Sequence, residues 1–486
     1  MSNLIKNELT KIFKKKAIYI LLLVTLAFVI LSNCIYKYFY NNTSYSYYSD
    51  SYVEFAKEAI NGLDPNKPSD TKMYIEYKTV LDVSDMMKEY SNDAWQIQII
   101  ASTVESYINE RNTYLYGAEK DENQANKINE QINELSERLK NDDWKYFANE
   151  ELQNAEEKVK SLEEEKTSTD DKQRLEAIDS EIATAKIDLD VARYRVNENI
   201  KYGSDYMNTA LANYQEQSYR ITQIDNSKEE LTYQEKKDYN DSLEQREISK
   251  YIIENHVDVN KANDLRGILS NFFNEFGLFI IVIVVMIAGT IVSEEFNKGT
   301  IKLLLVKPYS RNKILLSKFI TVLIMIAFSI VMIIGMELIV GGFIFGFESL
   351  SVPILQYNFD TNMLQEINVF SYLGIQTIMQ LPSIILLATL SFALSTIFTN
   401  SPVAIALPLL GYMGVAIINQ LAIQYNIGFL KYFVTLNWDF SQYLFGGMPL
   451  MEGLTPIFSG IICIIYFLIM IIPTFIIFKK KNIKNI

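Results

Sequence analysis

Cysteine and histidine are nearly missing from this chain: 486 residues hold two Cys and one His. A disulfide scaffold is excluded, because Cys34 and Cys463 both fall in apolar runs and the polar stretch 41–266 has no cysteine. A histidine-rich metal site is excluded by the single His256, which sits between Glu254 and Asp258 and reads as a surface helix residue rather than a catalytic base. No glycine is followed by lysine, so the Gly-Lys pair that cradles phosphate in a P-loop is missing too. Positive charge is in deficit: 45 basic against 58 acidic side chains give a net charge of −13. An acidic chain repels phosphate, which disfavours nucleic acid as a partner.

Apolar residues, by contrast, are abundant and unevenly placed. Residues 41–266 hold 28 basic and 48 acidic side chains, a net of −20, and no long apolar run. The remainder holds 17 basic and 10 acidic side chains, a net of +7, and is dominated by Ile, Leu, Phe and Val. The pattern is that of an all-α membrane protein with a large polar insertion. Three parts follow: 1–40, 41–266 and 267–486.

A spanning helix needs about 20 mostly apolar residues. Six stretches qualify: Ala17 to about Tyr36, about Ile268–Val292, about Leu316–Phe345, about Val369–Phe398, Pro402–Ile423 and about Pro456–Phe478. The basic start before the first stretch also resembles a cleaved signal, with Leu31-Ser32-Asn33-Cys34 in place of a lipoprotein box. Asn33 is too large and polar for that box and the apolar character continues past it, so a retained span is expected, with Cys34 as a small buried residue. Orientation follows from Lys and Arg. Lys6, Lys11, Lys14, Lys15 and Lys16 precede span one; Lys298, Lys302, Lys307, Arg311, Lys313 and Lys318 lie between spans two and three; Lys479, Lys480, Lys481 and Lys484 follow span six. Six spans put these segments on one side, expected to be the cytoplasm of a bacterial cell. Residues 41–266 are then extracellular.

The insertion reads as helix. Leu175, Ile178, Ile182, Ala185, Leu189, Ala192 and Val196 alternate spacings of three and four, the seam of a coiled coil. Leu152, Ala155, Val159 and Leu162 repeat it, as do Ile128, Ile132, Leu135 and Leu139. The polar stretch 166–171 between the arms predicts a hairpin tip, and the arms Ile128–Val196 are expected to be self-contained. Asn141-Asp142-Asp143 marks a kink or a new N-cap, and Thr232-Tyr233-Gln234-Glu235 fits a capping box. Met207, Leu211, Tyr214 and Ile221 form an apolar stripe, either packed core or a cargo surface. The acidic surplus is a solvated face or, alternatively, attracts cationic peptides. Tyr45, Tyr47 and Tyr48 suggest an interfacial belt.

After span two the chain reads Ser293-Glu294-Glu295-Phe296-Asn297-Lys298-Gly299-Thr300-Ile301-Lys302-Leu303-Leu304-Leu305-Val306-Lys307-Pro308-Tyr309-Ser310-Arg311. An acidic membrane exit is followed by an apolar piece that cannot leave three leucines in water, then by a proline break. Such a piece docks on membrane or protein. Its Glu-Glu-x-x-x-Gly-Thr, its Leu-rich stretch and its Pro-x-Ser-Arg resemble the permease subunit of type-2 ABC exporters. The stretch Leu4–Lys16 also resembles that family's N-terminal interfacial helix. The resemblance implies that 294–313 is a coupling segment seated on a separate ATPase subunit, with Glu294, Glu295, Lys298, Gly299, Thr300, Leu304, Pro308 and Arg311 as its coupling residues. It also implies that ATP and magnesium bind the partner chain, with no cofactor, metal or catalytic residue here. A second permease subunit, identical or different, and membrane lipid are the further partners expected.

Glu337 lies inside span three, where a charge costs about 2.5 kcal/mol or more. It reads either as a translocation-path residue or as a side chain bonded to a neighbouring helix. Gly341, Gly342 and Gly346 nearby permit close packing. Residues 429–445, rich in aromatics, read as a re-entrant or interfacial helix pair. The expected function is export of an amphipathic, lipidic or antimicrobial-peptide cargo, hence peptide resistance. The alternative is a non-transporting surface scaffold or receptor resembling the phage-infection-protein group.

Overall fold

The computed structural model describes residues 1–41, 47–225, 230–259, 264–302, 309–398, 400–425 and 427–481. The chain divides into two compact units, Met1–Asn41 with Val259–Ile486, and Asn42–Asp258. Both are built almost wholly from helices, and among the described residues six helices are long and apolar enough to cross a membrane. The protein is a multi-pass, all-α membrane protein.

The first unit opens with a short amphipathic helix, Ser2–Phe13. Span one is Lys16–Asn41, span two the helix Phe272–Thr290 with the turn Ser293–Asn297, and span three Arg311–Phe345. Spans four, five and six are Val369–Phe398, Ser401–Gln424 and Pro456–Lys480. Main-chain groups in lipid must bond within their own segment, so apolar runs of this length fold as helices. Span three has 35 residues, about 52 Å at about 1.5 Å per residue, well beyond the roughly 30 Å hydrocarbon core.

Span two is the hub. Its Phe276, Ile280, Val284 and Ile287 belong to one core with Val322, Met325 and Ile333 of span three and Ile384, Ala388 and Phe392 of span four. Small residues let the backbones close up on its other side. A methyl group on Gly289 would lie 2.7 Å from Ile405 and 3.0 Å from the Ser391 hydroxyl. Ser391 in turn donates to the carbonyls of Val285 at 2.9 Å and Ala404 at 2.7 Å. Spans five and six keep apolar side chains exposed, among them Leu410, Met413, Ile417, Ile457 and Ile464. Cys34, expected to be buried, is exposed on span one, whereas Cys463 is buried. An apolar run in lipid has no need to hide a thiol-sized side chain, so burial did not follow from the run.

Spans three and four are joined by a sheet that sequence did not suggest. Strands β1 (Ile354–Asn358) and β2 (Met363–Ile367) pair antiparallel, Ile354 opposite Ile367 and Asn358 opposite Met363. The Asn358 side chain accepts from the backbone N–H of Asp360 and Thr361, and Asn362 takes the left-handed conformation that closes the turn. The Phe359 N–H donates to Phe445 at 2.8 Å. Between spans five and six the expected helix pair is instead three 3-10 turns, Gly428–Tyr432, Val434–Leu436 and Phe440–Gly446. Buried Asn437 holds them, donating to Lys431 and Phe433 carbonyls and accepting from Ser459, each at 2.7 Å.

In the second unit Trp144–Ser168 and Lys172–Asn197 form the antiparallel hairpin, closed by Ala155, Val159 and Leu162 against Ile178, Ile182, Ala185, Leu189 and Ala192. The helix Glu122–Lys140 stops at Asn141, and Asp142 at φ 58° turns the chain into the hairpin. Contrary to the expectation for Ile128–Val196, the stretch from Ile128 is not self-contained. Ile128, Ile132, Leu135, Leu139, Phe147 and Ala148 pack with Val83, Trp95, Ile99 and Val104 in a separate core. The capping box at Thr232 and Glu235 is complete. Met207, Leu211 and Ile221 are buried core residues, and His256 ends the helix Tyr233–Asn255 in the left-handed conformation, 3.0 Å from Glu198. Tyr48 belongs to this unit and donates to Glu105 at 2.8 Å, while Tyr47 is exposed and Tyr45 lies outside the described residues.

Candidate functional site

Leu4, Glu8 and Ile12 recur every fourth residue and form the buried stripe of the N-terminal helix. A carboxylate in that stripe requires a partner, and span three supplies one. Lys318, two turns into its helix, is fully buried. Its ammonium donates to Glu8 Oε2 at 2.7 Å and the Ile291 carbonyl at 3.1 Å, and pairs with Glu295 Oε1 at 2.9 Å. Lys11 spans the same two acids, 2.8 Å from Glu8 Oε1 and 2.7 Å from Glu295 Oε1. Two acids and two bases make a neutral cluster joining the N-terminal helix, the exit of span two and the start of span three.

Burial alone would raise the Glu8 carboxyl, but Lys318 and Lys11 outweigh it and hold it below the ordinary carboxylate value. Burial likewise opposes the charge of Lys11, yet Glu295 and Glu8 hold its ammonium above the ordinary lysine value. Beside this cluster Glu294 lies 3.0 Å from Lys15 and 3.2 Å from Lys298, and Lys15 also donates to Thr290.

The remaining sequence-predicted residues take definite places. Gly299 is the residue past the C-cap of Ser293–Asn297, with φ +68°, a conformation that glycine adopts without strain. Thr300 donates to the Glu295 carbonyl at 3.5 Å. Arg311 donates to the carbonyls of Lys479 at 3.0 Å and Lys481 at 2.9 Å. Lys481 closes the end of span four by donating to Thr396 and Ile397. Leu304 and Pro308 lie outside the described residues. The connection from span two to span three is therefore tied to the body at Glu295 on one side and at Arg311 on the other.

Glu337 sits in a second polar cluster, apart from the first along span three. It is fully buried and accepts from Asn33 Nδ2 of span one at 2.9 Å. Tyr36 of span one donates to Glu275 of span two at 2.6 Å. Sequence reasoning named Glu337, Glu294 and Glu295 but missed Glu8, Lys11, Lys15, Lys318 and Asn33. The one available signal was a charged residue inside an apolar stripe, as Glu8 is between Leu4 and Ile12, and Lys318 is between Leu315 and Phe319. Among the described residues no cluster of His, Cys, Asp and Glu has the makings of a metal site.

Residues 240–484, half of the chain, match the profile of a family described as "Protein of unknown function (DUF2705)". The chain is similar to the "Uncharacterized protein YhcI" of Bacillus subtilis (strain 168), with 34% identity over 218 residues, 44% of this chain and 67% of that one. It is also similar to the "Uncharacterized membrane protein YdbK" of the same organism, with 28% identity over 205 residues, 41% of this chain and 76% of that one. No solved structure matches.

Proposed function

The chain belongs to the DUF2705 family of proteins of unknown function, and we propose that it works as the membrane subunit of an ATP-driven exporter. The observation that carries this reading is the connection between spans two and three. Its first end is fastened through Glu295 to Lys318 and Lys11, and its second through Arg311 to the tail of span six. A force on such a connection reaches spans two, three and six and the N-terminal helix together. A connection that merely closes a loop has no use for buried ions at its root, since taking charges out of water is costly.

In this reading both termini face the cytoplasm and residues 41–266 are extracellular, with a coiled-coil domain. The Leu-rich stretch 303–305 docks on a separate ATPase chain that binds ATP and magnesium. A second permease subunit completes the pathway, and the cargo is amphipathic or lipidic, an antimicrobial peptide being the leading candidate. Glu294 and Glu295 then act indirectly, by fixing the root of the coupling segment.

The test is co-purification from native membranes under mild extraction. The intact chain is expected to retain an ATP-hydrolysing partner. Replacing Leu303, Leu304 and Leu305 with Gln should release that partner while leaving the spans inserted. If the intact chain retains no ATPase, the exporter reading falls, and the scaffold or receptor reading takes its place.

A further inference from the structure

The cluster around Glu337 contains two buried oxygens with no donor. The Asn33 amide nitrogen donates to the Val29 carbonyl at 2.8 Å and to Glu337 Oε2 at 2.9 Å. The Val29 carbonyl accepts only, so it fixes which end of the amide is nitrogen. Asn33 Oδ1 is left without a partner, and so is Glu337 Oε1. Both side chains are fully buried. Both oxygens border Gly341: a methyl group there would sit 2.6 Å from Glu337 Oε1 and 3.3 Å from Asn33 Oδ1. An ionised carboxylate here would leave two acceptors without donors in a dry interior, where each unsatisfied group costs about 1–3 kcal/mol.

One proton resolves both. We propose that Glu337 and Asn33 form a proton-binding site, in which Glu337 Oε1 carries the proton and donates it to Asn33 Oδ1 while Asn33 Nδ2 donates to Glu337 Oε2. The result is a cyclic acid–amide pair that joins span three to span one with every polar atom satisfied. The surrounding charges favour it. Glu275 faces Glu337 from span two and takes the Tyr36 hydroxyl. Lys37 of span one donates to the Ile344 carbonyl at 2.9 Å, and Arg266 donates to the carbonyls of Val259 and Pro353. Among the described residues Glu337 has no ion pair. A second negative charge beside Glu275, with no cation to offset it, is the costly state. Losing the proton would leave both acceptors without a donor and weaken the tie between span one and span three. The inference stands independently of the exporter reading.

Infrared spectroscopy of the full chain in lipid vesicles tests it. At neutral pH the wild type should show the carbonyl stretch of a hydrogen-bonded carboxylic acid, and Glu337→Gln should lack it. Glu337→Gln should also keep the wild-type melting temperature, because the glutamine amide can donate to Asn33 Oδ1 and accept from Asn33 Nδ2. Asn33→Leu should keep the band but shift it to the position of a free acid, which serves if the first variant folds poorly. The proposal is overturned if the wild type has no such band, or if the band survives Glu337→Gln. It is equally overturned if the band emerges only when sodium and potassium are replaced by choline, since a metal cation would then occupy the pair.

Discussion

Replacing Lys318 with methionine keeps the length of the stem and removes the charge. The variant leaves Glu8 and Glu295, both buried, sharing the half-exposed Lys11, and leaves the Ile291 carbonyl without its donor. Removing one partner of a buried ion pair costs about 3–5 kcal/mol. Lys11 still bridges both acids, so the low end applies: about 3 kcal/mol, on the order of a hundredfold in the docking equilibrium of the N-terminal helix. A detached helix of 12 residues is marginal by itself, so undocking exposes its amides. Hydrogen exchange of residues 2–13 in lipid nanodiscs reads this directly. Lys318→Met should speed exchange by that factor, and Glu8→Gln with Lys318→Met should recover much of it, because the Glu295–Lys11 pair survives. The two changes act on one network and are expected to be non-additive. Exchange in Lys318→Met no faster than in the wild type would refute the view that Lys318 holds the helix down.

The same docking should depend on pH in a set direction. Glu8 is held below its ordinary value, so its contribution is present above about pH 4 and fades as pH falls through the lowered value, while Lys11, held above its ordinary value, contributes below about pH 10 and fades as pH rises past it; exchange of residues 2–13 should therefore be slow and flat between those limits. Gly446→Ala should lower the melting temperature, since φ is +72° and the added methyl would lie 2.9 Å from Asp360. A loss of about 1–3 kcal/mol is expected, whereas Gly374→Ala, with no atom within 4 Å of the added methyl, should be harmless. Residues 42–258 expressed alone should be soluble and helical by circular dichroism, unchanged by reducing agent; a sheet-dominated spectrum would contradict the packing described.

The spans and the hairpin seam are legible in sequence because each writes a local period, an apolar run or a three-four alternation such as Ile178, Ile182, Ala185 and Leu189. Caps are legible for the same reason, as Thr232 and Glu235 lie three residues apart. The strands Ile354–Asn358 and Met363–Ile367 are too short to impose a period, and their turn is set by the Asn358 side chain and the left-handed Asn362. The ion cluster is illegible because its members are scattered. Lys318 counts in a sequence as one more positive charge near a membrane edge, and only the fold reveals that it points inward. Glu295 stands beside Glu294 in sequence, yet the two acids have different partners. The base of the hairpin is illegible because Ile128 and Leu139 follow the same alternation as the arms while sharing a core with Trp95.

Glu8 and Lys318 are 310 positions apart, and that distance sets an order of events during synthesis. At about 5–20 residues per second the ribosome needs about 15 to 60 s to deliver Lys318 after Glu8 has emerged. Span one and the whole insertion are made in that interval. The N-terminal helix must therefore wait at the membrane surface with its acid unpaired, and it can seat only once the third span has entered the bilayer. Its docking is a late step of assembly, although it is translated before any of the spans it joins. A nascent chain halted before Lys318 would already possess its first two spans and still lack the junction that binds its beginning to its middle.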